Sequence, residues 1–252
     1  MSAPRCVIYT VLTGGYDDLR QPEEVCPDCD YICFSNSIPE KQIGVWQIRP
    51  FDHRPDDPSR ESRYPKLNPH RVLPEYGYSL YADANIALRN EVCEKFCDLV
   101  RREVSVAMIP HPDRNCVYQE AVILTAWRIG EPGLIYRQVR FLLENRFPQD
   151  AGLFSGGMIF RRHLRPDIVR FSEQWWDFYS RYSSRDQLAV SWALFQAGLK
   201  PEILFPSSFY EKNLYSHREK RKRVEDFTFT ENLQRYFALL RLKLLYRRYG
   251  IG

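Results

Sequence analysis

Residues 6–18 read CVIYTVLTGGYDD, and the fold turns on this stretch. From Cys6 to Leu12 there is no alternation of polar and apolar side chains, which marks a strand buried on both faces. Thr13-Gly14-Gly15 then ends it in a tight turn. Working outward, the same criteria predict strands over 30–34, 45–48, 78–81, 104–109, 153–160 and 203–205. Helical periodicity predicts helices over 60–72, 91–101, 115–129, 133–145, 166–182 and 185–197, with Asn90 as an N-cap and with Pro65 and Pro69 breaking up the first. Strands alternating with helices through residue 205 argue one α/β domain, a doubly wound, mostly parallel sheet with flanking helices. Residues 1–210 form this domain and 211–252 a basic C-terminal extension. Such sheets bind ligands beyond the carboxyl ends of their strands.

The composition agrees with one globular unit: 252 residues, 44% hydrophobic and 27% charged. No apolar run reaches the ~20 residues a membrane span requires, and the N-terminus lacks the pattern of a signal peptide. A cytoplasmic protein is the expectation. The net charge of +4 is uneven, because residues 211–252 carry +6 and the remainder −2. A uniformly basic nucleic-acid binder would not look like this and no nucleic-acid partner is expected, although a basic tail alone could still touch RNA or anionic lipid. Seven cysteines, an odd count, read as reduced thiols. Cys26 and Cys29 have C-x-x-C spacing and Cys93 and Cys97 lie one helical turn apart. Two such pairs could hold zinc, but Pro27 and Asp28 sit in a polar loop and the adopted reading is ordinary loop and helix thiols.

Polar groups gather at the predicted strand ends. After the first strand, Gly14 and Gly15 admit close approach of a ligand, Tyr16 can stack on a base, and Asp17 or Asp18 can accept from it; a plain Gly-Gly turn is the alternative. After the fourth, Asp83 and Asn85 in SLYADAN place two oxygen-bearing side chains at i and i+2. Together they could share a hard cation that takes further ligands from phosphates, or Asp83 could cap the next segment. Arg63 and Lys66, with Arg60, His70 and Arg71, suit neutralisation of a diphosphate. His111 follows the fifth strand and Glu120 enters the next helix. Ser155-Gly156-Gly157 puts glycines inside a strand, where another backbone or a sugar must come close. Asp186 and Gln187 open a helix, where the dipole favours an ionised carboxylate.

In order, YTVLTGGYDDL, RYPKLNPH, SLYADANI, HPDRNCVYQEA, GLFSGGMIFRRH and SRDQLAVSWAL resemble the glycosyltransferase-like domain family named after plant mucilage biosynthesis proteins. The layout is similar to that of GT-A glycosyltransferases, which use nucleotide-diphospho-sugar donors. The resemblance implies a GT-A-like fold over roughly residues 5–200. It implies that Asp83 and Asn85 stand at the Asp-x-Asp metal motif, binding Mn²⁺ or Mg²⁺, with His217 as a late metal ligand. Thr10, Gly14 and Tyr16 would then line the nucleotide, Ser155, Gly156 and Gly157 would lie under the donor sugar, and Asp186 would serve the acceptor or the donor sugar. Asn85 is a departure from that motif.

The implied activity is transfer of a sugar from a nucleotide-diphosphate donor to a glycan or lipid-linked acceptor in polysaccharide biosynthesis. Asp186 or Glu120 would be the general base of an inverting reaction, and Asp186 would only position a sugar in a retaining one. A degenerate, non-catalytic binding module is the alternative function, and a two-metal nucleotidyltransferase or phosphodiesterase would need a denser carboxylate cluster. In the tail, a helix over 233–249 would align Leu233, Phe237, Leu240, Leu244 and Tyr249, widened by Leu239, Leu242 and Leu245 and flanked by Lys243 and Arg247. A basic amphipathic helix suits peripheral contact with the inner face of an anionic membrane. Packing on the catalytic domain or on a second subunit is the other use of such a stripe.

Overall fold

A computed structural model describes residues 5–14, 18–53, 58–182, 185–213 and 227–251. The expected buried strand is β1 (Cys6–Val11), whose residues alternate between two apolar layers: Val7, Tyr9 and Val11 face one, Ile8 the other. Burial on both faces is why the run is continuously apolar. The sheet continues with β2 (Cys29–Phe34), β3 (Gln42–Ile43), β4 (Trp46–Arg49), β5 (Tyr78–Ala82), β6 (Val106–Pro110), β7 (Phe154–Arg161) and β8 (Glu202–Ile203). Its order is β3-β4-β2-β1-β5-β7-β6-β8. The pairs β1–β2, β1–β5, β2–β4 and β6–β8 are parallel, while β3–β4, β5–β7 and β6–β7 are antiparallel. This single mixed α/β sheet with parallel pairs in the majority is consistent with a GT-A-like fold. Because β7 runs against its neighbours, its first residues meet the carboxyl ends of β5 and β6.

Helices α1 (Pro58–Leu67), α2 (Pro69–Val72), α4 (Val117–Ala126), α5 (Pro132–Glu144), α6 (Pro166–Tyr182) and α7 (Asp186–Ala197) accompany the larger apolar layer, and α3 (Asn90–Arg101) covers the other with Val92, Phe96 and Leu99. Two short elements, β3 and α8 (Phe209–Asn213), escaped the sequence reading. The expected N-cap of α3 shifts by one: Arg89 is the extended residue before it, and Asn90, its first residue, donates to Glu94. Pro65 does not break α1. It lies in the last turn, and buried side chains take the carbonyl left open where the helix ends. Arg161 Nη2 donates to Lys66 O at 2.7 Å, and Tyr9 Oη donates to the same carbonyl at 3.2 Å.

The C-terminal helix α9 (Phe229–Tyr249) starts on a capping box between Thr228 and Glu231 and packs on α4 and α5. Leu242 and Leu245 are its buried residues, and Tyr246 Oη donates to Tyr118 O at 2.7 Å. The expected single stripe is therefore split in two. Leu242 and Leu245 enter the core, whereas Leu233, Phe237, Leu240 and Leu244 lie on the opposite, exposed face with Phe229 and Tyr236. The thiols also need correcting. Cys26 and Cys93 are at disulfide contact, with Cα atoms 5.2 Å apart, and Cys29 and Cys97 crowd the same point.

His163, just after β7, is fully buried with Nε2 on Leu73 O at 3.0 Å. Burial outweighs that hydrogen bond and lowers its pKa from 6.5 to about 4. The unfolded chain then binds a proton below pH 6.5 that the folded chain refuses. Stability attributable to His163 is whole above pH 6.5 and falls as the pH drops toward 4, by about 3 kcal/mol. Urea unfolding of wild type and His163→Gln at pH 7 and pH 4.5 checks this, since the variant should lose less; equal losses would refute it.

Candidate active site

The strand order reverses at β1 and β5, and the two chains leaving their carboxyl ends supply the first side chains of the site. Thr10 and Asp83 line a small cleft there with Arg20, Gln21, Trp46 and Leu88. Thr10 is 2% exposed, and its Oγ1 has no hydrogen-bond partner among the described residues. Asp83 follows β5 directly. Its N–H donates to Gly157 O at 2.8 Å, so the antiparallel β7 carries the glycine pair up to this turn.

The ladder between β6 and β7 slips here: Met108 faces Ile159 but Ile109 faces Ser155. The resulting bulge frees Gly156 and Gly157 from regular pairing with β6. A Cβ on Gly156 would lie 3.1 Å from Asp186 Oδ2 and 3.3 Å from Lys66 Nζ, and one on Gly157 would lie 3.0 Å from Tyr210 Oη. The glycines thus let a strand backbone press against a charged cluster.

That cluster joins four expected residues from three parts of the chain. Lys66 Nζ, in the last turn of α1, is 2.7 Å from Asp186 Oδ2 and 3.5 Å from Asp83 Oδ1. Arg63 Nε, one turn earlier on α1, is 3.6 Å from Asp186 Oδ2. The Lys66 and Asp186 side chains are 3% and 7% exposed, whereas Asp83 is 41% exposed, so Asp83 is the member open to a ligand. Burial pushes the Asp186 carboxyl up, but the charges of Lys66 and Arg63 prevail and hold it well below the ordinary carboxylate range. A carboxylate so stabilised is a weak proton acceptor. Arg63 is shifted up by Asp186 and Asp83 against its own burial.

Tyr81 Oη donates to Asp83 Oδ1 at 2.5 Å, and Lys66 Nζ sits 4.9 Å from the Tyr81 ring centroid. Burial and the Asp83 charge together raise the Tyr81 pKa well above normal, so its phenol stays a donor. Beneath the cluster, the buried Arg161 donates to Tyr9 Oη at 2.6 Å and to the Lys66 carbonyl, fixing the end of α1. Tyr81, Arg161 and Tyr210 were missed from sequence. Tyr81 stands two residues before Asp83, the spacing that puts neighbours on one side of a strand, and was legible. Arg161 inside an apolar strand and Tyr210 on α8 gave no signal.

The remaining candidates fall elsewhere or outside the described residues. Asn85 is 5% exposed, folded into the turn after Asp83. Ser155 Oγ accepts from the Gly157 N–H at 3.4 Å, and Gln187 is half-buried in the first turn of α7. Glu120 and His111 form a second cluster beyond β6. Arg114 Nε donates to Glu120 Oε2 at 2.6 Å, and His111 Nε2 lies 3.7 Å from the same oxygen. His111 Nδ1 accepts from the N–H groups of Asp113 and Arg114 at 3.2 Å each, and burial lowers its pKa. Gly14 is at the turn after β1 with φ of +68°. Gly15, Tyr16 and His217 lie outside the described residues.

A divalent cation fits the donor set in one way. Asp83 offers an accessible carboxylate, and Lys66 and Tyr81 both meet it at Oδ1. Mg²⁺ and Mn²⁺ accept one or two protein carboxylates and complete their shell with water and substrate phosphates.

Comparison with known proteins bears on this geometry. Residues 1–227 match the family described as TOD1/MUCI70, glycosyltransferase-like domain. The chain is 25% identical over 213 residues to the probable hexosyltransferase MUCI70 of Arabidopsis thaliana, an alignment covering 73% of this chain and 36% of that protein. It is 23% identical over 262 residues to the alkaline ceramidase TOD1 of the same plant, covering 89% of this chain and 56% of the relative. The chain thus spans between about a third and a little over half of the length of these relatives.

Proposed function

The chain belongs to the TOD1/MUCI70 glycosyltransferase-like domain family, and from that premise we propose that it moves a sugar from a nucleotide-diphosphate donor to a glycan or lipid-linked acceptor. The observation that carries the reading is the Lys66–Asp186–Asp83 cluster, set against the Gly156-Gly157 backbone at the carboxyl ends of β1 and β5. Sugar transfer needs positive charge where the diphosphate leaves and a fixed place for the sugar. Lys66 and Arg63 supply the charge. Thr10 and the cleft around Trp46 receive the nucleotide, and Gly156 of the glycine pair lets Lys66 and Asp186 pack close against β7, which fixes them beside the sugar.

Asp186 orients Lys66 and accepts a hydrogen bond from a sugar hydroxyl, a positioning role that suits its stabilised charge better than that of general base. Tyr81 holds the Asp83 carboxylate at a set angle. Mn²⁺ or Mg²⁺, bound through Asp83, would neutralise charge on the leaving diphosphate. A thermal-shift panel of UDP-, GDP- and CMP-sugars with and without Mn²⁺ tests the reading. A donor at 100 times its Kd should stabilise the fold by about 2.7 kcal/mol, and the stabilising donor should support transfer. Stabilisation by none, or hydrolysis of ceramide without sugar transfer, would overturn it.

The acceptor side of the proposal rests on α9. No helix among the described residues is long and apolar enough to cross a membrane. The exposed face of α9 nevertheless carries Phe229, Leu233, Tyr236, Phe237, Leu240 and Leu244, flanked in the helix by Lys243, Arg247 and Arg248. An anionic lipid surface complements both properties, at about 1 kcal/mol per basic residue, and would hold the enzyme at the cytoplasmic leaflet beside a lipid-linked acceptor. The full chain should float with anionic vesicles at low salt, and Leu233→Glu with Phe237→Glu should abolish flotation without loss of melting temperature. A wild-type chain that stays in solution would end the idea. Truncation is the wrong test, because it would strip Leu242 and Leu245 from the core.

A further inference from the structure

On the face of the sheet covered by α3, four cysteines from two distant segments converge. Cys26 lies in the loop before β2 and Cys29 is the first residue of that strand, while Cys93 and Cys97 stand one turn apart on α3. The sulfurs of Cys26, Cys93 and Cys97 all lie within 4.8 Å of one another. Cys26 Sγ is 3.7 Å from Cys97 Sγ and 3.5 Å from Cys29 Sγ. Cys6, paired in register with Cys29 across β1 and β2, stands beside them. Among the described residues Cys26, Cys93 and Cys97 are the one group of three or more cysteine, histidine or carboxylate side chains close enough to hold a metal ion together, and Cys29 adjoins it through Cys26.

We propose that Cys26, Cys29, Cys93 and Cys97 form a structural zinc centre. Zinc in such sites takes four thiolates at about 2.3 Å, so neighbouring sulfurs of the tetrahedron are about 3.8 Å apart. The two sulfur separations from Cys26 to Cys97 and Cys29 match that edge. The chain pattern agrees as well. A two-residue spacer, with Asp28 turned to φ of +62°, curls one pair toward a single point, and the i, i+4 spacing on α3 aims the other pair from one helix face. A Cys26–Cys93 disulfide would use two of the four sulfurs and leave Cys29 and Cys97 as thiols packed against it. Zinc uses all four, each losing its proton to solvent on binding.

The centre also has a mechanical role. The loop entering Cys26 and the turn entering α3 both line the cleft at Thr10 and Asp83, through Arg20 and Gln21 on one side and Leu88 on the other. They already touch through Glu23 N–H to Leu88 O at 2.9 Å and through Glu23 to Arg89 at 3.2 Å. Zinc would clamp these two segments and hold the cleft wall, remote from any reaction step.

The test needs no activity, so its failure and that of the glycosyltransferase reading are distinguishable. Full-length protein purified without metal supplements is dialysed against a chelator and its metal content measured by mass spectrometry. About one zinc per chain should remain. Reconstitution of metal-stripped, reduced protein with Co²⁺ should give the intense visible bands of a tetrahedral thiolate site. Cys97→Ser and Cys29→Ser should each lose retention, whereas Cys116→Ser, placed in the opposite apolar layer, should keep it. Iron in place of zinc would overturn the proposal. So would a folded, metal-free wild-type chain with a Cys26–Cys93 disulfide that takes up no Co²⁺ after reduction. Loss of retention in Cys6→Ser but not in Cys29→Ser would overturn the assignment of Cys29.

Discussion

Asp83→Ala should lower sugar transfer by at least about 10²–10³-fold, the usual consequence of removing one group that stabilises developing charge. The fold should survive. The Asp83 side chain is 41% exposed and packs against little, and Lys66 retains its closer partner Asp186 at 2.7 Å. What is lost is the acceptor for Tyr81, a hydrogen bond contributing about 1–2 kcal/mol. Asp83→Asn separates the two roles, because the amide still accepts from Tyr81 while carrying no charge for a cation or for Lys66. Turnover and melting temperature of both variants are the measurements. Near-normal turnover in Asp83→Ala would remove this carboxylate from the reaction. A collapsed melting temperature in both would make it a structural cap of the turn.

The second large effect is on stability. Asp186→Asn leaves the Lys66 ammonium, 3% exposed, beside a neutral amide, and breaking one side of a buried ion pair costs about 3–5 kcal/mol. Arg63, 3.6 Å away on the same carboxylate, adds to the loss, and the more exposed Asp83, 3.5 Å from Lys66, compensates only in part. Replacing both members, Asp186→Leu with Lys66→Met, should recover much of that loss, since the pair as a whole contributes far less than its rupture costs. The pH dependence has a definite sign. The folded Asp186 carboxyl is held below its ordinary value of 3.8, so its contribution is whole above that pH and disappears as the pH falls below it. Urea unfolding from pH 4 downward should show a steeper loss in the wild type than in Asp186→Asn, while the His163 loss between pH 6.5 and 4 is common to both. An Asn variant as stable as the wild type at pH 7 would refute the buried pair. On activity, a positioning role predicts that kcat falls while its pH profile keeps its shape. Loss of a titration limb would instead mark Asp186 as the base.

Much of this was settled by local sequence. Cys6 to Val11 had to be a strand buried on both sides, because only such a strand can be apolar without alternation, and Asp83 had to sit on the turn after another. Gly156 and Gly157 announced a close approach. These features depend on neighbours within a few residues, and periodicity and turn chemistry record them directly. Tertiary structure decided the rest. Lys66 and Asp186 are 120 positions apart, and neither carries a mark of the other; only the packing of α1 and α7 on one face of the sheet brings them to 2.7 Å. The same holds for α9, where both faces are apolar and helical periodicity alone cannot say which one meets α4 and α5. It holds most clearly for the thiols. Each pair looked ordinary in its own loop or helix, because the distance that brings them together runs through space between α3 and the start of β2, not along the chain.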